Sequence, residues 1–254
     1  MVPPGFERLL LGHAVAVARS DVAPAIRRVL VSADGGRTTL HEYAARHPAA
    51  RRMEGRGAAY AVPLPAAGTS PAQRVVVRHN RHGGLFGAVR GDRFLAPTRA
   101  PHELDTSLRL TQLGVPTPTI LAYVLYPPGG IVQRADVCSS EITDSRDLAG
   151  VLTSGGESER TAAMAATADL LAALSRAGAR HHDLNAKNIL VSGDRAYVLD
   201  VDRVVFDGSP DVVFARNMAR LRRSLRKWRD QFNAHVAEDD IDALERSALA
   251  AAKS

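Results

Sequence analysis

Three polar residues flank a short apolar hairpin in the segment "HHDLNAKNILVSGDRAYVLDVDRVVF", residues 181–206. Asp183 and Asn188 precede the first apolar run, and Asp200 follows the second. Because a hairpin brings its two open ends together, we expect these side chains to converge at one end. An amide oxygen and a carboxylate oxygen suit Mg²⁺, whose shell is completed by water and phosphate. Asp183 is then left to accept a proton from a hydroxyl.

This division of roles is the one used in phosphoryl transfer by protein-kinase-like enzymes. A single Asp or Asn in a loop is most often turn chemistry. The joint spacing of the three residues therefore carries the prediction.

The hairpin follows a predicted helix, "SERTAAMAATADLLAALSRAGA", which begins at Ser158 and stops at Gly178. Upstream, strand-like runs predominate: "HAVAVAR", "AAYAVPL", "RVVVRHN", "PTILAYVLY" and "IVQRADVCSS", with helices predicted in "VAPAIRRVLVS" and in a segment ending at Gly114. A β-rich first half and a helical second half predict an α+β fold of two lobes, residues 1–143 and 144–254, with a cleft between them.

Composition narrows the classes of protein to consider. A chain of 254 residues with 45% hydrophobic residues fits a folded globule. Its single cysteine, Cys138, excludes an internal disulfide framework and is expected to be a small buried hydrophobe. The net charge of +6 favours an anionic partner without identifying it. The N-terminal "LLLGHAVAVARS" imitates a signal peptide, but Glu7 in its n-region and the alternating "HAVAVAR" favour a strand.

The motifs resemble those of the lipopolysaccharide core kinases, in particular the branch that phosphorylates 3-deoxy-manno-octulosonate (Kdo). The resemblance lies in "HHDLNAKNIL", "VLDVDR", "NMARLRRSLRKW", "GRGAAY" and "VVVRHNRHGGL", and spans roughly residues 55–229. It implies a protein-kinase-like fold with a β-rich N-lobe covering the nucleotide and a helical C-lobe carrying the catalytic loop. It also implies ATP and Mg²⁺ as cofactors.

Residue by residue, the resemblance assigns the phosphate-holding position on the third strand to Arg78, with Glu103 as its helix partner. A guanidinium offers a planar fork to carboxylate and phosphate, although its geometry differs from that of lysine. The implied nucleotide contacts are the glycine turn Gly55, Arg56 and Gly57, the linker Glu141, Ile142 and Thr143, and Asn185 in the catalytic loop. The implied metal ligands are Asn188, Asp200 and Asp202, and Asp202 could equally brace its loop.

A basic amphipathic helix is predicted in "FARNMARLRRSLRKWRDQF". Its apolar stripe consists of Phe214, Met218, Leu221, Leu225, Trp228 and Phe232. Seven cations occupy its other faces: Arg216, Arg220, Arg222, Arg223, Arg226, Lys227 and Arg229. So dense a run is self-repulsive unless an anionic surface offsets it, which favours an anionic membrane leaflet or a phosphorylated glycolipid. The run lacks interleaved aromatic residues, so no nucleic-acid partner is expected.

The function predicted from these features is ATP-dependent phosphorylation of a lipopolysaccharide inner-core sugar, with Asp183 orienting the acceptor. The predicted location is cytoplasmic and peripheral on the inner membrane. Two alternatives stay open at the level of sequence. One is a kinase of another small molecule or a protein on the same fold. The other is a catalytically silent, membrane-docking pseudokinase, because Arg78 stands where lysine is usual.

Overall fold

The structure, a computed structural model, describes residues 2–31, 38–53, 58–66, 72–79, 94–95, 98–126 and 132–253. It divides into two compact units. The first comprises residues 1–105 and 119–141, and the second comprises residues 106–118 and 142–254.

Among the described residues, the first unit is built on one antiparallel sheet of eight strands. In spatial order the main path is β1-β2-β7-β8-β5-β4-β3, and β6 pairs with β8 outside this path. The strands are β1 (Phe6–Leu11), β2 (Ala14–Arg19), β3 (Arg51–Met53), β4 (Ala59–Pro63), β5 (Arg74–His79), β6 (Phe94–Leu95), β7 (Ile120–Tyr126) and β8 (Val132–Ser140). The runs "AAYAVPL" and "RVVVRHN" contain β4 and β5, which pair antiparallel in a register that places Ala59 opposite Arg78.

Helices cover the first unit's sheet because alternate strand residues are apolar on that face. Helix α1 (Ala23–Val31) packs against β1 and β2, and α2 (Leu40–Arg46) packs against β4 and β5. Thr39 and Glu42 form a capping box at the start of α2, which satisfies two backbone donors there. Helix α3 (Ala100–Gln112) begins in this unit and ends in the second.

The second unit is mostly helical. Its helices are α4 (Leu148–Ser154), α5 (Glu157–Arg176), α6 (Pro210–Phe232) and α7 (Glu238–Lys253). Its strands are β9 (Arg146–Asp147), β10 (Arg180–His181), β11 (Ile189–Ser192), β12 (Arg195–Val198) and β13 (Val204–Val205), arranged as the sheet β12-β11-β9 and the pair β10-β13. Helix α5 lies at the centre and packs against α6, α7 and β12.

Helix α5 ends directly before the segment 181–206, which contains Asp183, Asn188 and Asp200. Gly178 adopts a left-handed φ of +63°, which a residue with a side chain resists. The N–H of Ala179 donates to the carbonyl of Leu174 at 2.9 Å, which closes the helix in a Schellman turn. Strand β10 follows at once, so the rigid α5 fixes where the loop after His181 starts.

The α+β prediction is confirmed, and so is the predicted β11–β12 hairpin, which turns at Gly193 with φ +57°. Cys138 is fully buried, as expected, and its burial raises the pKa of the thiol to about 12. The sequence did not predict strand β1, because its run of three leucines hides the alternation that buries Leu9 and Leu11 and exposes Leu10. Within the described ranges, no helix is both long enough and apolar enough to cross a membrane.

Candidate active site

The loop from His181 to Asn188 is held together by its own side chains. The backbone carbonyl of Asp183 accepts hydrogen bonds from the side-chain amides of Asn185, at 2.9 Å, and Asn188, at 2.8 Å. The Oδ1 of Asn185 accepts from the backbone N–H of Lys187 at 3.0 Å and caps a short 3₁₀ turn, Ala186–Asn188. Asn185, predicted to bind the nucleotide, thus has a structural role in shaping the loop.

His181 lies behind this loop and is fully buried. Its Nδ1 accepts from the backbone N–H of Asp183 at 3.0 Å, so Nε2 carries the proton and donates to the carbonyl of Leu199 at 2.9 Å. Burial lowers the pKa of His181 below its ordinary value, although the carboxylates of Asp200, Asp183 and Asp202 act in the opposite direction. The neutral imidazole therefore links the loop of Asp183 to Leu199, the residue before Asp200, through two hydrogen bonds.

Asn188 and Asp200 lie at the same end of the β11–β12 hairpin, as the sequence predicted. Ile189 pairs with Val198, and the N–H of Leu199 donates to the carbonyl of Asn188 at 2.9 Å. Asp200 has a left-handed backbone, with φ 52° and ψ 48°. Such a conformation costs of order 1–3 kcal/mol in a non-glycine residue, and residues held in it cluster at functional sites.

The donors at this end of the hairpin fit a magnesium ion. The side-chain nitrogen of Asn188 is committed to Asp183, which leaves its amide oxygen as a ligand atom. Asp200 supplies a carboxylate that makes no side-chain cap bond to the following 3₁₀ turn. Two such oxygen donors, with phosphate and water, form a usual Mg²⁺ shell. Within the described ranges, no three His, Cys, Asp or Glu side chains form a cluster that could hold a metal without such additions.

Asp202 lies in the 3₁₀ turn Val201–Arg203 that follows Asp200. Its carboxylate is 3.7 Å from the Nε of Arg203, and its side chain is 16% exposed. The N–H of His182 donates to the carbonyl of Arg203 at 2.9 Å, so the turn is also tied to the loop. Both predicted uses of Asp202, as a metal ligand or as a brace, agree with this position.

Two polar residues of α6 anchor the loop from below, and neither was predicted. Asn217 is fully buried; its Oδ1 accepts from the N–H of His181, and its Nδ2 donates to the carbonyl of Ala179, both at 3.0 Å. Ser224 Oγ accepts from the N–H of Ala186 at 3.0 Å. The sequence does contain a sign of the role of Asn217. It is a polar amide next to Met218 of the apolar stripe, on the buried face of α6.

Lys187 gives the loop a third anchor. Its Nζ donates to the carboxylate of Asp147 at 2.9 Å and lies 5.6 Å from the ring centre of Trp228. Asp147 also caps α4 by accepting from the N–H of Gly150 at 2.8 Å. The loop is thereby fixed to α4 and α6 as well as to its own hairpin.

In the first unit, the predicted ion pair between Arg78 and Glu103 is present. The guanidinium of Arg78, on β5, donates to Glu103 in the first turn of α3. The Glu103 side chain is 5% exposed and that of Arg78 is 31% exposed. A buried carboxylate needs such a partner.

The predicted linker residues have partners of their own. The Glu141 side chain is 3% exposed and pairs with Arg51 and Arg74, each at 2.6 Å. Burial alone would raise the pKa of Glu141, but hydrogen bonds from these arginines outweigh it and lower the pKa. In the second unit, the carbonyls of Ile142 and Thr143 accept from the hydroxyls of Ser145, at 2.7 Å, and Ser192, at 2.9 Å, respectively. The predicted glycine turn, Gly55, Arg56 and Gly57, lies outside the described residues.

The expectation of an unbalanced basic helix is wrong for three of its seven cations. Arg222 contacts Glu238, Asp242 and Glu245 of α7, at 2.5–2.9 Å. Arg226 and Arg229 also pair with Glu238. Phe232, the last residue predicted for the apolar stripe, is 47% exposed at the end of α6, so the packed stripe ends at Trp228.

Comparisons with known proteins agree with these observations. The profile of the lipopolysaccharide kinase (Kdo/WaaP) family matches residues 51–247. A 3-deoxy-D-manno-octulosonic acid kinase of Xanthomonas oryzae pv. oryzae is 33% identical over 198 residues, 76% of each chain. A kinase of the same name from Vibrio vulnificus is 30% identical over 196 residues, 75% of this chain and 78% of the other. A solved structure of WaaP in complex with acyl carrier protein is 21% identical, with TM-score 0.42, covering 80% of this chain and 88% of that one.

Proposed function

Because the chain belongs to the lipopolysaccharide kinase (Kdo/WaaP) family, we propose that it transfers the γ-phosphoryl group of ATP to a sugar hydroxyl of the lipopolysaccharide inner core. As a member of this family it is a phosphotransferase with an alcohol group as acceptor. The proposed acceptor is Kdo or a similar sugar, since relatives with about a third of residues identical carry that name. The observation that carries the proposal is that Asn188 and Asp200 lie at one end of the β11–β12 hairpin, and that the neutral His181 joins the loop of Asp183 to this end.

In the second unit, Asp183 orients the acceptor hydroxyl and accepts its proton as the phosphoryl group is transferred. Asn188 and Asp200, with Asp202 as a further candidate, hold Mg²⁺. A bound magnesium ion would neutralise charge on the nucleotide phosphates. His181 carries its proton on Nε2 and is neutral, so the imidazole does not form an ion pair with the carboxylate of Asp183.

In the first unit, Arg78 contributes the cation that holds the nucleotide phosphates, and Glu103 holds Arg78 in place. The glycine turn assigned to the phosphates is Gly55 to Gly57, because glycine permits a close approach of backbone to phosphate. The linker residues Glu141 to Thr143 contact the adenine through the backbone. The first unit thus acts as the nucleotide-covering lobe and the second as the catalytic lobe.

The proposed place of action is the cytoplasmic face of the inner membrane, with the protein bound peripherally. An inner-core sugar attached to lipid A is a glycolipid, so its kinase meets the substrate at a lipid surface. Such a substrate carries phosphates and carboxylates, and the chain's net charge of +6 favours its approach.

The test is a transfer assay with purified protein, labelled ATP and separate acceptors. The acceptors are Kdo-bearing lipid A precursors, heptosylated cores and a generic protein substrate. We expect label on the Kdo-bearing precursors, and none after magnesium is removed with a chelator. Label on the protein substrate alone would contradict the proposed acceptor.

The variant Asp183→Asn separates an enzyme from a pseudokinase. Its side chain has nearly the same shape, so folding and nucleotide binding should persist. Turnover should fall by roughly 10²- to 10⁴-fold, as expected when a general base is lost. A wild-type protein that binds ATP but labels no acceptor, with a variant indistinguishable from it, would favour the pseudokinase.

A further inference from the structure

The seven cations of α6 fall into two groups with different surroundings. Arg222, Arg226 and Arg229 face α7 and are paired with its acids. The remaining four are Arg216, Arg220, Arg223 and Lys227. Within the described part of the chain, none of these four side chains forms a hydrogen bond or an ion pair with an acid. Arg216 is within electrostatic range of Asp207, whose carboxylate is already bonded to Arg180.

These four cations form one stripe along the helix. Their spacings of four, three and four residues place them within an arc of about 60° at 100° per residue. Arg216, Arg223 and Lys227 are exposed, and Arg220 is half-buried. The stripe extends over about 16 Å of helix axis. Val212 precedes it on the same face and is 45% exposed, which adds an apolar group at one end.

The stripe is rigidly connected to the catalytic loop. Asn217 and Ser224 are on the adjoining flank of the same helix and hold the backbones of His181 and Ala186. The buried residues Phe214, Met218 and Leu221 fix the helix in the core of the second unit. Whatever binds the stripe is therefore held in a fixed orientation to the loop of Asp183.

We infer that Arg216, Arg220, Arg223 and Lys227 form a docking surface for an anionic lipid membrane. This inference deepens the proposed function, since a glycolipid kinase works at a lipid surface. A straight line of cations without acid partners matches the negative potential of an anionic leaflet. Arg222, Arg226 and Arg229, which are paired with acids of α7, take no part in the docking.

Charge and composition favour lipid over the other polyanions. Surfaces that bind single-stranded nucleic acid interleave aromatic residues with cations so that the unpaired bases can stack. Trp228, by contrast, packs partly against the core of the second unit and contacts Phe232 at a centroid distance of 4.4 Å. An acidic protein partner is the remaining competitor, and the experiment below includes it.

The test is co-sedimentation with vesicles, without nucleotide or acceptor, so its outcome is independent of whether phosphoryl transfer occurs. One variant carries Arg216→Gln, Arg220→Gln, Arg223→Gln and Lys227→Gln. Its matched control carries Arg8→Gln, Arg27→Gln, Arg46→Gln and Arg52→Gln, which removes the same four charges from exposed positions of the first unit. Vesicles are equimolar phosphatidylcholine and phosphatidylglycerol, or phosphatidylcholine alone. Unchanged melting temperatures verify that both variants are folded.

We expect the wild type and the control to bind the anionic vesicles and the stripe variant to lose binding. Each cation near an anionic surface contributes about fivefold, so four of them give a loss of several hundredfold at low salt. Wild-type binding should also weaken as the Debye length shortens to about 8 Å at physiological salt. The inference is overturned if the stripe variant sediments like the wild type, or if the control loses as much. It is also overturned if the wild type binds polyglutamate but not the vesicles.

Discussion

At the residue scale, His181 shows how a fold selects a protonation state. Its two ring nitrogens face one backbone donor and one backbone acceptor, so only one neutral tautomer satisfies both. In a protonated ring, Nδ1 would carry a hydrogen that faces the backbone N–H of Asp183, so two donors would meet. The imidazole can therefore lie close to three carboxylates without becoming their counter-ion.

Asn217 is the residue on which this arrangement rests. Replacing it with leucine leaves the N–H of His181 and the carbonyl of Ala179 buried without partners. Each unsatisfied group costs about 1–3 kcal/mol. We expect Asn217→Leu to lower the melting temperature and, at temperatures where the variant is folded, to lower kcat up to ~100-fold through misplacement of the loop. The KM for ATP should change little.

The matched control is Met218→Ala on the same helix. Met218 is 2% exposed and buried in the core, and its truncation costs about 2–5 kcal/mol. It makes no hydrogen bond to the loop, so its kcat should stay near the wild-type value. Equal losses of kcat in both variants would show that Asn217 acts through stability alone.

At the element scale, α6 performs three tasks on separate flanks. One flank packs in the core, one binds the acids of α7, and one adjoins the loop from His181 to Asn188, with the cationic stripe beside it. Sequence periodicity identifies the apolar flank because the period of a helix is local. It does not identify the partners of Arg222, since Asp242 and Glu245 are 20 and 23 residues away and meet it only after α7 folds back.

The α6–α7 contact makes stability depend on pH. The hydrogen bond from Arg226, together with that from Arg229, lowers the pKa of Glu238 from 4.5 to about 2. A carboxylate with a depressed folded-state pKa stabilises the fold above its unfolded value and loses that effect as pH falls. We expect the stabilisation by Glu238 to be complete above about pH 5 and to decline between about pH 4.5 and pH 2.

The measurement is a series of urea unfolding curves for wild type and Glu238→Gln from about pH 6 to pH 3. The wild type should be more stable at the upper end, and the difference should shrink towards the lower end. Added salt should reduce the difference, because Glu238 is solvent-accessible. A difference that is constant with pH would assign the effect to packing instead of charge.

At the scale of the whole molecule, the family resemblance, the enzyme class and the kinase-like α+β fold that the sequence implied are confirmed. Local signals sufficed for the β11–β12 hairpin and for the end of α5 at Gly178. The convergence of Asn188 and Asp200 followed from the hairpin. The bonds that hold the loop, from His181 to Asn217 and from Lys187 to Asp147, could not be predicted, because they join residues 36 and 40 positions apart. Such contacts depend on tertiary packing, and the local periodicity of apolar residues along the sequence contains no information about them.

The order of strands in the first unit has a practical consequence for solubility. The family profile begins at residue 51, but β1 and β2 precede it and cover the outer edge of β7. The natural edges carry charge: Glu7 and Arg8 on β1, and Arg51 and Arg52 on β3. Strand β7, "ILAYVLY", carries none. A chain shortened to the family boundary would therefore present an uncharged, apolar edge of the kind that recruits other chains into aggregates. We expect light scattering to detect large aggregates of the shortened chain at concentrations where the full chain is monodisperse; equal monodispersity of the two would contradict this.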